Sequence, residues 1–128
     1  MSEQVPEVTH PKFRMCLPDD GVVRLVWSPP VPSGLEDSIA TIEAMIELTG
    51  DRPAPLLVDV REAGPQSREG RLEFIRRHEV VSAVAILVGN PLSRMMGNFF
   101  MNVNKPKAPT RLFDDEDAAI TWLKGFLE

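Results

Sequence analysis

The chain has 128 residues and carries fourteen Lys and Arg against nineteen Asp and Glu, a net charge of −5. That length holds one core, and 43% apolar with 26% charged residues is ordinary for a globular domain, which argues against wholesale disorder. The acidic balance disfavours nucleic acid, a lone Cys16 excludes an internal disulfide and a cysteine-based zinc site, and no apolar run approaches the ~20 residues that cross a bilayer.

Residues 1–12 contain Pro6 and Pro11 without apolar periodicity and read as a flexible tail ahead of a domain spanning 13–128. The first fifteen residues are polar and Pro-bearing, so no secretory leader is expected and a cytoplasmic location is. Phe13, Met15 and Leu17 alternate on one face of a strand. Asp19-Asp20-Gly21 is a turn signal, and Val22 to Trp27 completes an antiparallel hairpin. Prolines at 29, 30 and 32 forbid a helix there. Ser33 and Glu36 have capping-box spacing, and Leu35, Ile39, Ile42 and Ile46 predict one buried helical face closed by Gly50. Leu56 to Val60 is apolar enough for a parallel strand covered on both faces.

A charged second helix is predicted from about Ser67 to His78, buried through Leu72, Phe74 and Ile75. Val80 to Val88 is the strongest strand in the chain. Asn90 followed by Pro91 starts a third helix with a broad apolar face from Leu92 to Val103. Thr110 to Phe113 is a last strand. Asp114 to Asp117 put negative charge at the positive end of a fourth helix, buried through Ala119, Trp122, Leu123 and Phe126. The order β-β-α-β-α-β-α-β-α predicts an α/β domain: a five-stranded, mostly parallel sheet with an antiparallel N-terminal hairpin and four helices.

That order resembles the STAS, or SpoIIAA-like, fold. The local phrases are similar to bacterial STAS/SEC14-like domains of uncharacterised function. They are Leu57-Val58-Asp59-Val60-Arg61, Ala85-Ile86-Leu87-Val88, Ser93-Arg94, Asn98-Phe99-Phe100, Asn104-Lys105-Pro106, Pro109-Thr110-Arg111-Leu112-Phe113 and Ala119-Ile120-Thr121-Trp122-Leu123. They lie within residues 55–127. The resemblance implies a module that docks onto protein partners, with nucleotide binding in some members. It also implies a phosphorylated Ser at the start of the second helix. The family phrase there is Asp-Ser-Ser-Gly, whereas this chain has Pro65-Gln66-Ser67-Arg68-Glu69-Gly70, so Ser67 corresponds by position.

Ser67 therefore has two readings, a helix N-cap and a phosphosite whose phosphate would meet the helix amides, Arg68 and Arg71. Charge is unevenly distributed along the chain. Residues 1–50 carry −5, residues 51–111 carry +4 and residues 112–128 carry −4. In a parallel α/β layout the loops after the central strands share one edge, so Arg61, Arg68, Asn90, Ser93 and Arg94 form a candidate anion site beside Ser67. The opposing reading is a solvated surface of mixed charge.

Met95, Met96, Phe99, Phe100 and Met101 put five large apolar side chains in seven positions, more than one helix face buries. They are a candidate interface for self-association or a ligand. Lys105, Lys107 and Arg111 are too few to track a phosphate backbone. Asp59 and Glu62 lack a nearby acid/base partner, and His10, His78 and Cys16 are scattered, so no catalytic set, metal site or cofactor is expected. The reading is a non-enzymatic regulatory or protein-interaction module with an unidentified protein partner or a second copy of itself. The alternative is a domain that binds a small apolar, anionic or nucleotide ligand.

Overall fold

Six strands run in chain order across a single sheet: Glu7–His10 (β1), Phe13–Cys16 (β2), Val23–Trp27 (β3), Ala54–Asp59 (β4), Val81–Leu87 (β5) and Thr110–Phe113 (β6). The computed structural model describes residues 5–28 and 31–127. β1, β2 and β3 pair antiparallel, while β3 to β6 are parallel. Four α-helices complete the domain: Leu35–Thr49 (α1), Arg68–Arg76 (α2), Pro91–Phe99 (α3) and Glu116–Lys124 (α4).

The sheet corrects the expectation of five strands. The added strand, β1, lies inside the segment read as a tail. It pairs with β2 from Glu7 opposite Cys16 to His10 opposite Phe13, and the His10 ring stacks on Phe13 at 4.5 Å. An edge strand tolerates flanking prolines because only one of its sides needs amide donors. The β2–β3 turn forms as expected. Gly21 takes φ of 84°, and the Asp20 carboxylate accepts from the Val22 amide at 3.0 Å and from Arg24 at 2.6 Å.

α1 begins one residue later than the expected capping box. Ser33 is held extended by the neighbouring loop: its amide donates to the Pro65 carbonyl, and its own carbonyl accepts from the Ser67 amide. Gly34 becomes the N-cap, and the Asp37 carboxylate accepts from its amide at 2.8 Å and from Lys12 Nζ at 2.9 Å. The expected buried face is rotated as well. Ser38, Thr41, Ile42 and Met45 are buried, while Leu35 and Ile39 stay 40% and 38% exposed. The cause is the approach of α2. A Cβ on Gly70 would stand 2.9 Å from Ser38 Oγ and 3.1 Å from the Gly34 carbonyl oxygen, so only small groups fit at that crossing. Gly50 closes α1 at φ of 70°, as expected.

The sheet has two unlike faces. On one, α4 lays Ala119 and Leu123 onto Val22, Leu57, Ala83, Ala85 and Leu87. On the other, α1 packs Ala44 and Met45 against Phe13, Met15, Val23, Leu25, Trp27 and Leu56. α2 and α3 continue that second layer toward β6. α3 is capped as expected: Asn90 Oδ1 accepts from the Ser93 amide at 2.7 Å, and Ser93 Oγ accepts from the Gly89 and Asn90 amides at 3.0 and 3.1 Å. A Cβ on Gly97 would sit 3.0 Å from Leu112 and 3.3 Å from Val88, which pins the middle of α3 to the sheet. Beyond Phe99 the helix widens into a π-helical turn, Phe100–Asn104, and ends at Lys105 with φ of 51°.

Candidate functional site: a cavity beneath α1, α2 and α3

Between the second helical layer and the sheet lies a cavity of about 380 Å³. Its floor is sheet: Leu25 and Trp27 from β3, Leu56 and Val58 from β4, and Val84 and Ile86 from β5. These are alternate residues of each strand, whose intervening neighbours on β4 and β5 (Leu57, Ala83, Ala85 and Leu87) face α4. Ile42 and Met45 close one side from α1, and Phe74 and Ile75 from α2. Met96, Phe99 and Phe100 form the wall nearest β6.

The cations among the lining residues are Arg71, Arg77 and Lys107, with His78 beside them, and among the described residues no lining residue is acidic. Arg77 is neutralised by Glu79 at 2.7 Å. Arg71 is held differently. Nη1 donates to the Gln66 carbonyl at 2.7 Å, Nε donates to Asn104 Oδ1 at 3.2 Å, and the guanidinium carbon lies 4.9 Å from the Phe99 ring centre. Among the described residues it has no carboxylate within 4.0 Å.

The crowded apolar stretch of α3 divides between two environments. Met96, Phe100 and Met101 are half-buried, and Met96 and Phe100 line the cavity. Leu92, Met95, Phe99 and Val103 are 58%, 62%, 45% and 59% exposed and make a stripe along the outside of the helix and its π turn. Met95 and Phe99 belong to both, so the cavity wall there is one side chain thick.

The predicted basic edge is assembled in part. Asn90 Nδ2 donates to the Arg61 carbonyl at 2.9 Å, and Asn90 and Ser93 cap each other. Arg61 grips Asp59 through Nε at 3.0 Å and Nη2 at 2.7 Å, with Glu116 at 3.8 Å. Arg94 meets Asp114 at 3.4 Å. The acidic start of α4 thus folds onto the basic edge, which explains the opposite charge of the two sequence segments. Arg68 stands exposed in the first turn of α2. Ser67 caps α2, its Oγ accepting from the Gly70 amide at 3.0 Å.

The two buried carboxylates of the helical layer, Asp37 and Glu73, are paired. Burial pushes the Asp37 carboxyl up, but the Gly34 amide and Lys12 outweigh it and hold the group below its usual range. The bidentate Arg76 guanidinium, at 2.9 and 2.7 Å, lowers Glu73 likewise. Burial raises the Cys16 thiol, which disfavours the thiolate. Among the described residues no group of three His, Cys, Asp or Glu is placed to hold a metal ion, and no helix is long and apolar enough to cross a membrane.

The cavity lining went largely unseen in the sequence. Val84 and Ile86 read as generic strand residues, and only the Met and Phe excess in α3 signalled an unusual surface. A crystal structure of an uncharacterised DUF3478-family protein with a SpoIIAA-like fold, from Shewanella loihica PV-4, superposes with a TM-score of 0.61 at 15% identity, covering 96% of this chain and 98% of that one. A protein of unknown function from Arthrobacter sp. FB24 is 28% identical over 85% of this chain and 90% of its own, with a TM-score of 0.31. No curated protein matches the chain. The fold is therefore SpoIIAA-like, as the strand order and local phrases predicted. A family model described as a domain of unknown function, DUF7793, matches residues 15–127, and the chain belongs to that family.

Proposed function

We propose that this domain is a binding module for a small, largely apolar molecule held between the sheet and α1, α2 and α3. The observation that carries the reading is the cavity, about 380 Å³ and walled mostly by aliphatic and aromatic side chains. That volume falls within the range of small-molecule sites, roughly 300–1,000 Å³. The proposed activity is binding, not turnover.

Thermal unfolding titrated with decanol, an uncharged apolar probe, tests the reading. A ligand that binds the folded state alone raises the melting temperature as its concentration passes the Kd. The expected result is a saturable rise of several degrees. A flat response up to the solubility limit contradicts it.

A second reading, a docking module that pairs with its own copy, draws on the exposed stripe of Leu92, Met95, Phe99 and Val103. Contiguous apolar surface of this kind marks interaction sites. Light scattering across a wide concentration range distinguishes the two. A mass that stays monomeric rejects self-association, and a dimer lost in Met95→Glu supports it.

A further inference from the structure

The cavity's polar groups say more about its occupant than its volume does. Two arginines line the cavity, and one of them, Arg77, meets the Glu79 carboxylate at 2.7 Å. Arg71 lines the cavity and is fixed instead by two neutral acceptors, Gln66 and Asn104, and by the face of Phe99. Those acceptors use two of the five N–H donors of a guanidinium, which carries its charge at any working pH. Its orientation is set while, among the described residues, no carboxylate meets it within 4.0 Å and none lines the apolar space beside it.

From this we infer that the ligand is an amphiphile with one anionic head, a carboxylate or phosphate, seated on Arg71, with its apolar body on the floor formed by Trp27, Val84 and Ile86. The inference rests on the cavity-binding reading and adds the ligand's charge and polarity. Arg71 is preorganised for this role. It bridges the loop before α2 to the π turn after α3, so the head group would be met by a fork already immobilised at both ends. Phe99 supports the guanidinium and also lines the cavity, so the charge sits at the boundary between polar and apolar surface. An anion there gains a charge-assisted hydrogen bond, and its hydrocarbon body loses contact with water.

Calorimetric titration of the unaltered protein with decanoate, decanol, decyl phosphate and inorganic phosphate, at about pH 8 where the carboxylate is ionised, tests the inference. Decanoate or decyl phosphate should bind roughly tenfold more tightly than decanol, as a charge-assisted hydrogen bond allows. Whichever is tighter identifies the head group. In Arg71→Met, checked for cooperative unfolding, that preference should vanish while decanol affinity stays within about twofold. Arg71→Lys should keep part of it. Equal binding of decanol and the anions, or a preference that survives Arg71→Met, overturns the inference and leaves the cavity reading standing. Inorganic phosphate binding as tightly as decyl phosphate also overturns it, because the site would then take an anion without an apolar body. Failure of all the decyl probes to bind sinks the cavity reading together with the inference.

Discussion

On the α4 side of the sheet, Ala83, Ala85 and Leu87 meet Ala119 and Leu123, and everything buried there is apolar. On the α1–α3 side the same strand β5 presents Val84 and Ile86 to a cavity, and the helices above, with Ser33 just before α1, carry the buried polar residues Asp37, Ser38, Thr41, Glu73 and Ser93. One strand therefore serves two kinds of packing on alternate residues. Small side chains let α4 settle directly on the sheet. On the other side, α3 lies close against the sheet at Gly97, and Met96, Phe99 and Phe100 toward its far end line the cavity. The contrast teaches that the α4 face is filled throughout, whereas the opposite face is packed under α1 and leaves space toward α2 and α3.

The largest test of this contrast removes packing from each face in turn. Leu123 is fully buried, so Leu123→Ala should cost about 2–5 kcal/mol in urea unfolding. Met96→Ala, beside space that already exists, should cost clearly less. Equal losses would mean that both faces are close-packed.

Adding volume should discriminate next. Ala85→Leu forces a larger side chain beneath α4 and should destabilise by about 1–3 kcal/mol. Val84→Leu, one residue away and on the opposite face, should shift the urea midpoint little and weaken decanol binding. The reverse order would place the free space on the wrong side of the sheet.

Acid should act partly through the α1–α3 layer, with Asp20 of the β2–β3 turn, lowered by Arg24, contributing separately. Asp37 and Glu73 have folded-state pKa values below their ordinary ones. Each therefore contributes stability that is present above the unfolded value, about 4, and lost as pH falls through the lower folded value. Unfolding followed from neutral pH to strong acid should show a fall beginning below about pH 4, flattened in Asp37→Asn. An unchanged acid profile in that variant would show that the pairing of Asp37 with Gly34 and Lys12 contributes nothing.

Ser67→Ala should have the smallest effect, about 1 kcal/mol, the usual value of a helix N-cap. It should leave Leu123-side packing untouched. A neutral result would remove the cap from the account, and a phosphorylated form of the protein that Ser67→Ala abolishes would support the second reading of this residue.

Much of the fold was legible because its signals are local. Proline at 91 after Asn90, glycine at 50 and the apolar run from Leu56 each act through their own backbone. β1 was missed because a four-residue edge strand with only Val8 and Thr9 as β-formers has little local signal, and its pairing partner supplies the reason it forms. The face of α1 was misread because Leu35 and Ile39 follow helical periodicity, while the crossing at Gly70 demands the smaller Ser38 and Thr41. The cavity was legible only as an excess: five large apolar residues in seven positions. What that excess surrounds depends on how far α3 stands from β5, a distance that no local pattern encodes. Of the basic edge, the contact of Arg61 with Asn90 forms, and its pairing with Asp114 and Glu116 needed α4 to be folded into place.

The two tryptophans provide the most direct measurement, because they lie on opposite faces. Trp27 lines the cavity, and Trp122, on α4, packs with Phe113 and Phe126. In Trp122→Phe, which leaves Trp27 as the sole reporter, titration with a brominated decanol should quench fluorescence saturably. In Trp27→Phe the remaining Trp122 emission should stay unchanged over the same range. Quenching of Trp122 instead, or of neither residue, would contradict a ligand site beneath α1, α2 and α3.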